Sequence, residues 1–400
     1  MKLKLGPFRA LDIAAILIPL MFFIRLTFFS GKNVLRELNK DLTLQLFYIM
    51  LLLLFLSGMM PIREVEIDYF EAIQEWAKFA TGFIVFFTIA TTITDTKKAD
   101  RLLSIIPVSL YLPISFFFFQ IATGDLIRIH QGATFVPNAY FHNPHLITYG
   151  VAMILPVVYY KIIMASRAFN KYMWMSLFCT MLVVAYLSYA RTGWIGVIAE
   201  IAAIVFLSKR KMLALIIGFI GGFLLFFFFF ETIAAKLGDI VVFFINFFDA
   251  FETDKFDYLF AGRWRIFRRN LVGFYSGNPI HILIGYGVGG TAFLTTGASR
   301  GAGHSTYITL LCDFGLINLC VFFTLMGSLI YKSCRLIKLK NLHLQTIGKT
   351  CFITITGYLA IGLGTHFIYA LSSGVWLFWG ICGIMVGVSS NVSEIEASSA

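Results

Sequence analysis

The feature of this sequence that most restricts its fold is a set of long apolar runs that leave no polar face. Residues 223–230 are two leucines and six phenylalanines, and a helix that is hydrophobic on every side belongs in lipid or in a very large core. Hydrophobic residues make up 59% of the 400 residues and charged residues 13%, whereas a soluble domain carries roughly 25% charged residues. One chain of this length cannot bury so much apolar surface in a soluble fold, so the sequence predicts a protein embedded in a bilayer.

Crossing the hydrocarbon of a bilayer takes about 20 consecutive apolar residues in a helix. The apolar runs that approach this length lie at 11–29, 43–61, 77–95, 102–121, 145–165, 173–190, 193–208, 212–231, 304–330, 347–370 and 372–389. They predict an all-α polytopic membrane protein, a single membrane domain over residues 1–400, with about eleven transmembrane helices, or twelve if a span near the start is missed. The basic, apolar start resembles a secretory signal but lacks a clear small-residue cleavage site, so we expect it to be kept as the first span.

Basic residues cluster in every second link between the predicted spans. These clusters are Lys32, Arg36 and Lys40; Lys97, Lys98 and Arg101; Arg167 and Lys171; Lys209, Arg210 and Lys211; and Lys332, Arg335, Lys338 and Lys340. Because cytoplasmic loops are rich in Lys and Arg, this side is predicted to be the cytoplasm, and the net charge of +11 (32 − 21) reflects orientation rather than nucleic-acid binding. The same alternation places the N-terminus outside despite Lys2, Lys4 and Arg9, so either that is its true side or one early span is missed.

The outer side is then predicted to hold the link 122–144, the start of the seventh span at Arg191, and the long non-spanning segment 232–303. A segment of this length is usually functional or disordered, and its richness in Phe and Ile argues against disorder. It opens with an amphipathic portion, Leu237–Phe251, suited to lie along the membrane surface. We interpret the overlapping acidic cluster at 249–257 as a solvated face, and the six cysteines of the chain as small core hydrophobes rather than disulfide or zinc-binding residues.

Residues 261–274 carry four arginines that a helix would sort onto two faces. At about 100° per residue, Arg265, Arg268 and Arg269 gather on one face. The other face is formed by Trp264, Phe267, Leu271 and Phe274. Arg263 falls within that apolar face, where an unpaired charge is costly, so it is predicted to meet an anion or a buried carboxylate. The alternative is that Arg263 snorkels from the helix start.

Other outer positions also carry groups suited to a site. His304 precedes the ninth span, and histidine can transfer a proton near neutral pH. Arg191 begins the seventh span, and arginine binds phosphate in a two-pronged geometry. The run Gly285–Gly290 lets backbone approach a ligand, and His142 and Asn143 precede the fifth span. Each has a plain structural alternative: an interface histidine, an interface anchor, a flexible turn and a helix cap, respectively.

The order of these outer motifs resembles that of the O-antigen ligase and polymerase family of bacterial inner membranes, over roughly residues 140 to 330. The matching pieces are Phe141-His142-Asn143-Pro144, Arg191-Thr192-Gly193, Gly262-Arg263, Gly285-Tyr286-Gly287, His304-Ser305-Thr306-Tyr307 and Asp313-Phe314-Gly315-Leu316-Ile317. Ligases of the family tend to show His, then Asn, Ser or Gln, nine residues, Gly, two residues, and then Gly, Thr or Tyr. His304-Ser305 and Gly315 fit this pattern and Asn318 departs from it, which weakens the ligase assignment but not the family assignment.

The resemblance implies transfer of a glycan from an undecaprenyl-diphosphate donor at the periplasmic face of the inner membrane, with no cofactor, metal or nucleotide sugar. The acceptor of a ligase is lipid A–core, and that of a polymerase is another lipid-linked repeat. His304 is then expected to take the proton of the acceptor hydroxyl or to orient it. Arg191 and Arg263 are expected to stabilise charge on the diphosphate leaving group. Direct attack by the acceptor would invert the anomeric centre.

Substrate-binding roles are predicted for Arg265, Arg300, Tyr307, His142 and Asn143. We expect a ligase, with a polymerase as the alternative in the same class and a lipid-glycan flippase or transporter as the alternative in another. Transporters more often carry broken helices and charges in mid-membrane. The charges that stand out in this sequence lie at the outer edge, which favours chemistry there.

Overall fold

Twelve helices account for most of the residues that the structure, a computed structural model, describes. These residues are 4–5, 8–9, 21, 41–59, 69–128, 135–137, 139, 145–188, 190–208, 263–288, 290–291, 294, 305–365 and 373–392. The helices are α1 (Leu42–Met59), α2 (Tyr69–Thr92), α3 (Thr96–Ile105), α4 (Tyr111–Thr123), α5 (His145–Met164), α6 (Ala168–Leu187), α7 (Arg191–Leu207), α8 (Arg263–Tyr275), α9 (Pro279–Ile284), α10 (Thr306–Ile337), α11 (Leu342–Gly362) and α12 (Ser373–Ser389). Two short antiparallel pairings join β1 (Lys4–Leu5) to β2 (Phe8–Arg9) and β3 (Ile127–Arg128) to β4 (Phe135–Val136).

The predicted spans coincide with helices wherever the structure describes them. Nine of the eleven fall on α1 to α7 and α10 to α12, with α3 and α4 sharing one span through a 3₁₀ turn at Ile106–Leu110. The other two, 11–29 and 212–231, lie outside the described residues, as does the amphipathic stretch Leu237–Phe251. By length and composition, four described helical stretches can cross a membrane: Thr96–Thr123, Leu146–Met164, α6 and α10. Four further apolar stretches are shorter, at 10–17 residues. The chain is a helical membrane protein.

Helix α5 lies at the centre of the bundle. Its side chains from Val151 to Leu155 have no exposed surface, because α6, α7, α11 and α12 pack around it. In contrast, α4 and α6 present large apolar side chains outward, such as Phe119 and Tyr172. Outward-facing apolar side chains are what a helix bordering lipid requires.

Aromatic side chains join α1, α2 and α12. The ring of Trp379 lies 4.2 Å from that of Phe47 and 4.7 Å from that of Phe378, and such pairs contribute about 0.5–1.5 kcal/mol beyond their buried area. A Cβ at Gly82 would lie 2.8 Å from Trp379 Cδ1, so the missing side chain lets α2 approach α12 closely.

Two ion pairs connect the links that the sequence placed on one side. Lys332 Nζ lies 2.7 Å from Asp41 Oδ2, and Lys161 Nζ lies 2.7 Å from Asp100 Oδ1. Both pairs are at the end of the bundle where α1 begins and α2 ends. Each pair therefore joins two segments that the predicted alternation places on the same side, and which side of the membrane that is stays a prediction.

Candidate functional site

Helix α10 is broken at Gly315. The predicted span over 304–330 coincides with α10, but the sequence did not indicate that Gly315 within it has φ +81° and ψ 175°, a conformation that only glycine adopts readily. A Cβ at this position would lie 2.3 Å from the carbonyl oxygen of Leu283. The glycine of the ligase-like pattern thus marks the point where α10 changes path and another segment comes into backbone contact.

The segment in contact is the glycine-rich run that follows α9. Gly285 has φ +84°, and a Cβ there would lie 2.3 Å from the carbonyl oxygen of Asp313. The backbone N–H of Tyr286 donates to Cys312 O at 2.9 Å, and that of Gly287 donates to Asp313 O at 2.8 Å. Because a helix end leaves carbonyl groups without partners, these bonds cap the first half of α10. Gly285–Gly287 is therefore a docked turn and not the flexible turn that was the structural alternative.

Polar side chains complete this junction. Asp313 is buried, with 4% of its surface exposed, and its carboxylate accepts a hydrogen bond from the backbone N–H of Thr291 at 2.7 Å. Asn318 Nδ2 donates to Phe314 O at 2.8 Å and to Ser57 Oγ at 3.0 Å. Asn318, the residue that departs from the ligase-like pattern, thus bonds the carbonyl that immediately precedes the break and links it to α1.

Helix α8 lies on the first half of α10, and three of its arginines face outward. Arg265, Arg268 and Arg269 are exposed, whereas Phe274 is buried with Leu311 of α10. The predicted helix and its two faces are confirmed for the side chains that the structure describes. Arg263 is the first residue of α8, but the structure describes only its backbone, so the anion-binding role of Arg263 stays a prediction.

The backbone of Arg191 is held by a tight connection between α6 and α7. The hydroxyl groups of Thr148 and Ser188 share a hydrogen bond, and Trp194 Nε1 donates to Ala185 O at 2.7 Å. A Cβ at Gly193 would meet the Thr148 side chain, so the start of α7 packs closely on α5. Arg191 is the first residue of α7, where the helix dipole adds positive potential. The structure describes only the backbone of Arg191.

The chain that follows His304 is fixed to the end of α11. His304 itself lies outside the described residues. Ser305 Oγ donates to Gly362 O at 3.2 Å, and Thr306 donates to Thr365 O through both N and Oγ1 at 2.9 Å. The Tyr307 hydroxyl donates to the backbone oxygen of Leu359 at 2.6 Å, so it joins α10 to α11, and its predicted contact with substrate stays a prediction.

The segments that begin at Arg191 and His304 meet at this end of α11. A Cβ at Gly196 of α7 would lie 2.4 Å from Ile361 Cγ1. The next residue, Gly362, accepts the hydrogen bond from Ser305. Gly196 is five positions after Arg191, and Ser305 is the residue after His304. Two of the three predicted catalytic residues are therefore close in sequence to residues that contact the same turn of α11. The predicted binding residues Arg300, His142 and Asn143 lie outside the described part of the chain.

Sequence reasoning missed one buried acid, Glu200 of α7. It has no exposed surface, and neither carboxylate oxygen has a hydrogen-bond partner among the described residues. The available signal was simple: Glu200 is the only ionisable residue between Thr192 and Leu207, and ionisable residues within spans are rare and often functional. The prediction that the notable charges lie at the outer edge overlooked it.

Within the described residues, His, Cys, Asp and Glu side chains form no group of three or more that could hold a metal ion. No protein-family model matches the chain, and no curated protein matches it. A function for this chain therefore rests on its own residues and geometry.

Proposed function

We propose that this chain is an O-antigen ligase of the bacterial inner membrane. It crosses the membrane eleven times and transfers a glycan from undecaprenyl diphosphate to lipid A–core at the periplasmic face. The observation that carries the proposal is the convergence at the end of α11, where Gly196 and Ser305 both contact the turn Ile361–Gly362. This arrangement supports a site that combines an arginine from the start of α7 with a histidine from the start of α10.

The proposed reaction is a direct displacement at the anomeric carbon of the donor glycan. The acceptor hydroxyl oxygen attacks, the bond from the anomeric carbon to the diphosphate oxygen breaks, and His304 takes or orients the hydroxyl proton. Arg191 and Arg263 stabilise the negative charge that develops on the diphosphate. Attack from the face opposite the leaving group inverts the anomeric centre.

The docked turn Gly285–Gly287 supports a role for α8 in the proposed reaction. The hydrogen bonds of Tyr286 and Gly287 to α10 and the packing of Phe274 on Leu311 hold α8 against the helix that His304 precedes. Arg263, at the start of α8, is thereby carried by the same half of α10 as His304. The exposed arginines of α8, Arg265 among them, suit the head groups of membrane lipids or the donor diphosphate.

The test is lipopolysaccharide banding in a ligase-deficient strain that supplies matching core and lipid-linked O-antigen. The gene is expected to restore the ladder, and His304→Ala and Arg191→Ala are expected to reduce transfer about 100-fold or more, as removal of a charge stabiliser or proton carrier does. The matched controls are His343→Ala and Arg167→Ala, since both side chains are exposed at the opposite end of the bundle. A wild-type gene that leaves the core bare at normal expression would rule out the ligase.

Two observations favour other functions and set further tests. Asn318, where ligases tend to carry Gly, Thr or Tyr, favours a polymerase; in that case the gene lengthens repeats in a polymerase-deficient strain while leaving core unmodified. The break at Gly315 and the buried carboxyl of Glu200 favour a transporter, because transporters use discontinuous helices and intramembrane acids. Purified protein that joins donor to acceptor in detergent, with no second compartment, excludes a pure flippase.

A further inference from the structure

Glu200 lies in a contact that leaves its carboxyl group against helix backbone. It is the tenth of the 17 residues of α7, far from either end. On α11, a Cβ at Gly357 would lie 2.2 Å from Glu200 Oε1 and 2.7 Å from Cδ, so the carboxyl occupies the space that the glycine leaves open. One turn earlier, Gly196 meets Ile361 in the same way. The two helices are therefore in close contact along this face, with the acid between them.

Within the described residues, no side chain of the neighbouring helices bonds to this carboxyl. The titratable side chains on the described parts of the helices packed against α7 are Tyr149, Tyr159, Tyr160 and Lys161 of α5, Lys171, Tyr172, Cys179 and Tyr186 of α6, and His343, Lys349, Cys351 and Tyr358 of α11. Lys161 pairs with Asp100 at 2.7 Å, and the ring of Tyr358 stacks on Phe378. Neither oxygen of Glu200 bonds to any described residue. An ionised carboxylate in this position would be strongly unfavourable, whereas a neutral acid is tolerated.

We propose that Glu200 is a proton-binding site in the interior of the membrane domain. With its proton bound, the neutral side chain packs into the space at Gly357 and closes α7 on α11. Loss of the proton leaves a charge that must find water, which requires α7 to move off Gly357. Because α7 begins at Arg191 and the end of α11 holds Ser305, the bound proton fixes the spacing of these two segments. The proposal does not depend on the reaction catalysed.

The protonation state is measured by infrared difference spectroscopy on the full-length protein in lipid nanodiscs at neutral pH. Subtracting the Glu200→Gln spectrum from that of the wild type is expected to leave the carbonyl band of a neutral carboxylic acid. The control is Asp95→Asn, which removes a half-exposed carboxyl and is expected to leave carboxylate bands instead. Carboxylate bands in the Glu200 difference overturn the proposal. Failure of Glu200→Gln to fold also overturns it, since a neutral side chain of the same shape preserves the packing of a neutral acid.

The link between the proton and the helix contact is measured by hydrogen–deuterium exchange, corrected for the chemical rate. When the pH is raised from neutral to alkaline, amide exchange in α7 and α11 is expected to become faster in the wild type and to stay unchanged in Glu200→Gln. If both proteins respond equally, the proton does not control the contact between the helices. Gly357→Ala is expected to lower Tm by about 5 °C, and Glu200→Ala in the same chain is expected to restore most of that loss. Absence of this restoration shows that the two residues are not in contact.

Discussion

Replacing Gly315 by alanine tests the break in α10 directly. Alanine at φ +81° and ψ 175° occupies a region that costs about 1–3 kcal/mol for a residue with a Cβ. The new Cβ also lies 2.3 Å from the carbonyl oxygen of Leu283, and relieving such overpacking costs about 1–3 kcal/mol more. We therefore expect Gly315→Ala to destabilise the folded protein by about 2–6 kcal/mol, with loss of the docked turn at Gly285.

The matched control is Gly327→Ala, in the second half of the same helix. A Cβ at Gly327 meets nothing within 4 Å, and alanine is favoured over glycine in a helix by about 1 kcal/mol, so Tm should stay the same or rise. Thermal unfolding in one detergent compares the two variants, and limited proteolysis reports whether the turn at 285–287 has come off α10. If Gly315→Ala is as stable as Gly327→Ala, α10 is a continuous helix in solution and the break at Gly315 is refuted.

Three further predictions concern other parts of the chain. Lys332→Met leaves the buried carboxylate of Asp41 (8% exposed) without its cation and should lower stability by about 3 kcal/mol; adding Asp41→Asn should recover much of the loss in Tm, and no recovery would show that the pair is not coupled. The backbone N–H of Lys98 holds the pKa of Asp95 below its ordinary value, so the stability that this helix cap contributes is present above that ordinary value and is lost as the pH falls through the lowered one; amide exchange at Lys98 should rise in acid in the wild type and be independent of pH in Asp95→Asn. Tyr307→Phe removes the hydrogen bond to the backbone of α11 and should cost about 1 kcal/mol with the lipopolysaccharide ladder retained; a lost ladder at unchanged Tm would instead support the predicted substrate contact.

The helices could be predicted because each depends on its own run of apolar residues. The described spans begin or end within a few residues of the predicted bounds for α5 and α12, since these runs are bounded by polar residues. Helix α2 begins earlier than the predicted 77, at Tyr69, because its first turns carry charged residues that hydropathy counts against a span. The two faces of α8 followed from helical periodicity alone.

The break in α10 could not be predicted in the same way. Gly315 is flanked by apolar residues, and an isolated glycine in an apolar run is compatible with an unbroken helix. What bends the chain there is a contact with Gly285, which is 30 positions away in the sequence and has its own left-handed conformation. The resemblance to a known family had already grouped these two glycines, but only the contact between them gives the physical reason.

The surroundings of Glu200 could not be predicted from the sequence either. An acid in an apolar run can face a cavity, a cation or another helix, and the sequence does not choose between them. In the structure this acid faces another helix, because its carboxyl occupies the space that a side chain at position 357 would fill. For Arg191, Arg263 and His304 the sequence supplied predicted roles, and the structure adds the backbone positions of the first two and the hydrogen bonds of Ser305, the residue after the third.

The central position of α5 bears on how the protein is made. The helices that enclose it, α6, α7, α11 and α12, all follow it in the chain, so during synthesis the innermost helix reaches the membrane before its cover exists. In that interval lipid borders the faces that these four helices later cover, and a polar side chain on those faces between Val151 and Leu155 would have had nothing to bond with. The apolar surface of α5 therefore suits two environments in succession, first the lipid and then the interior of its own protein.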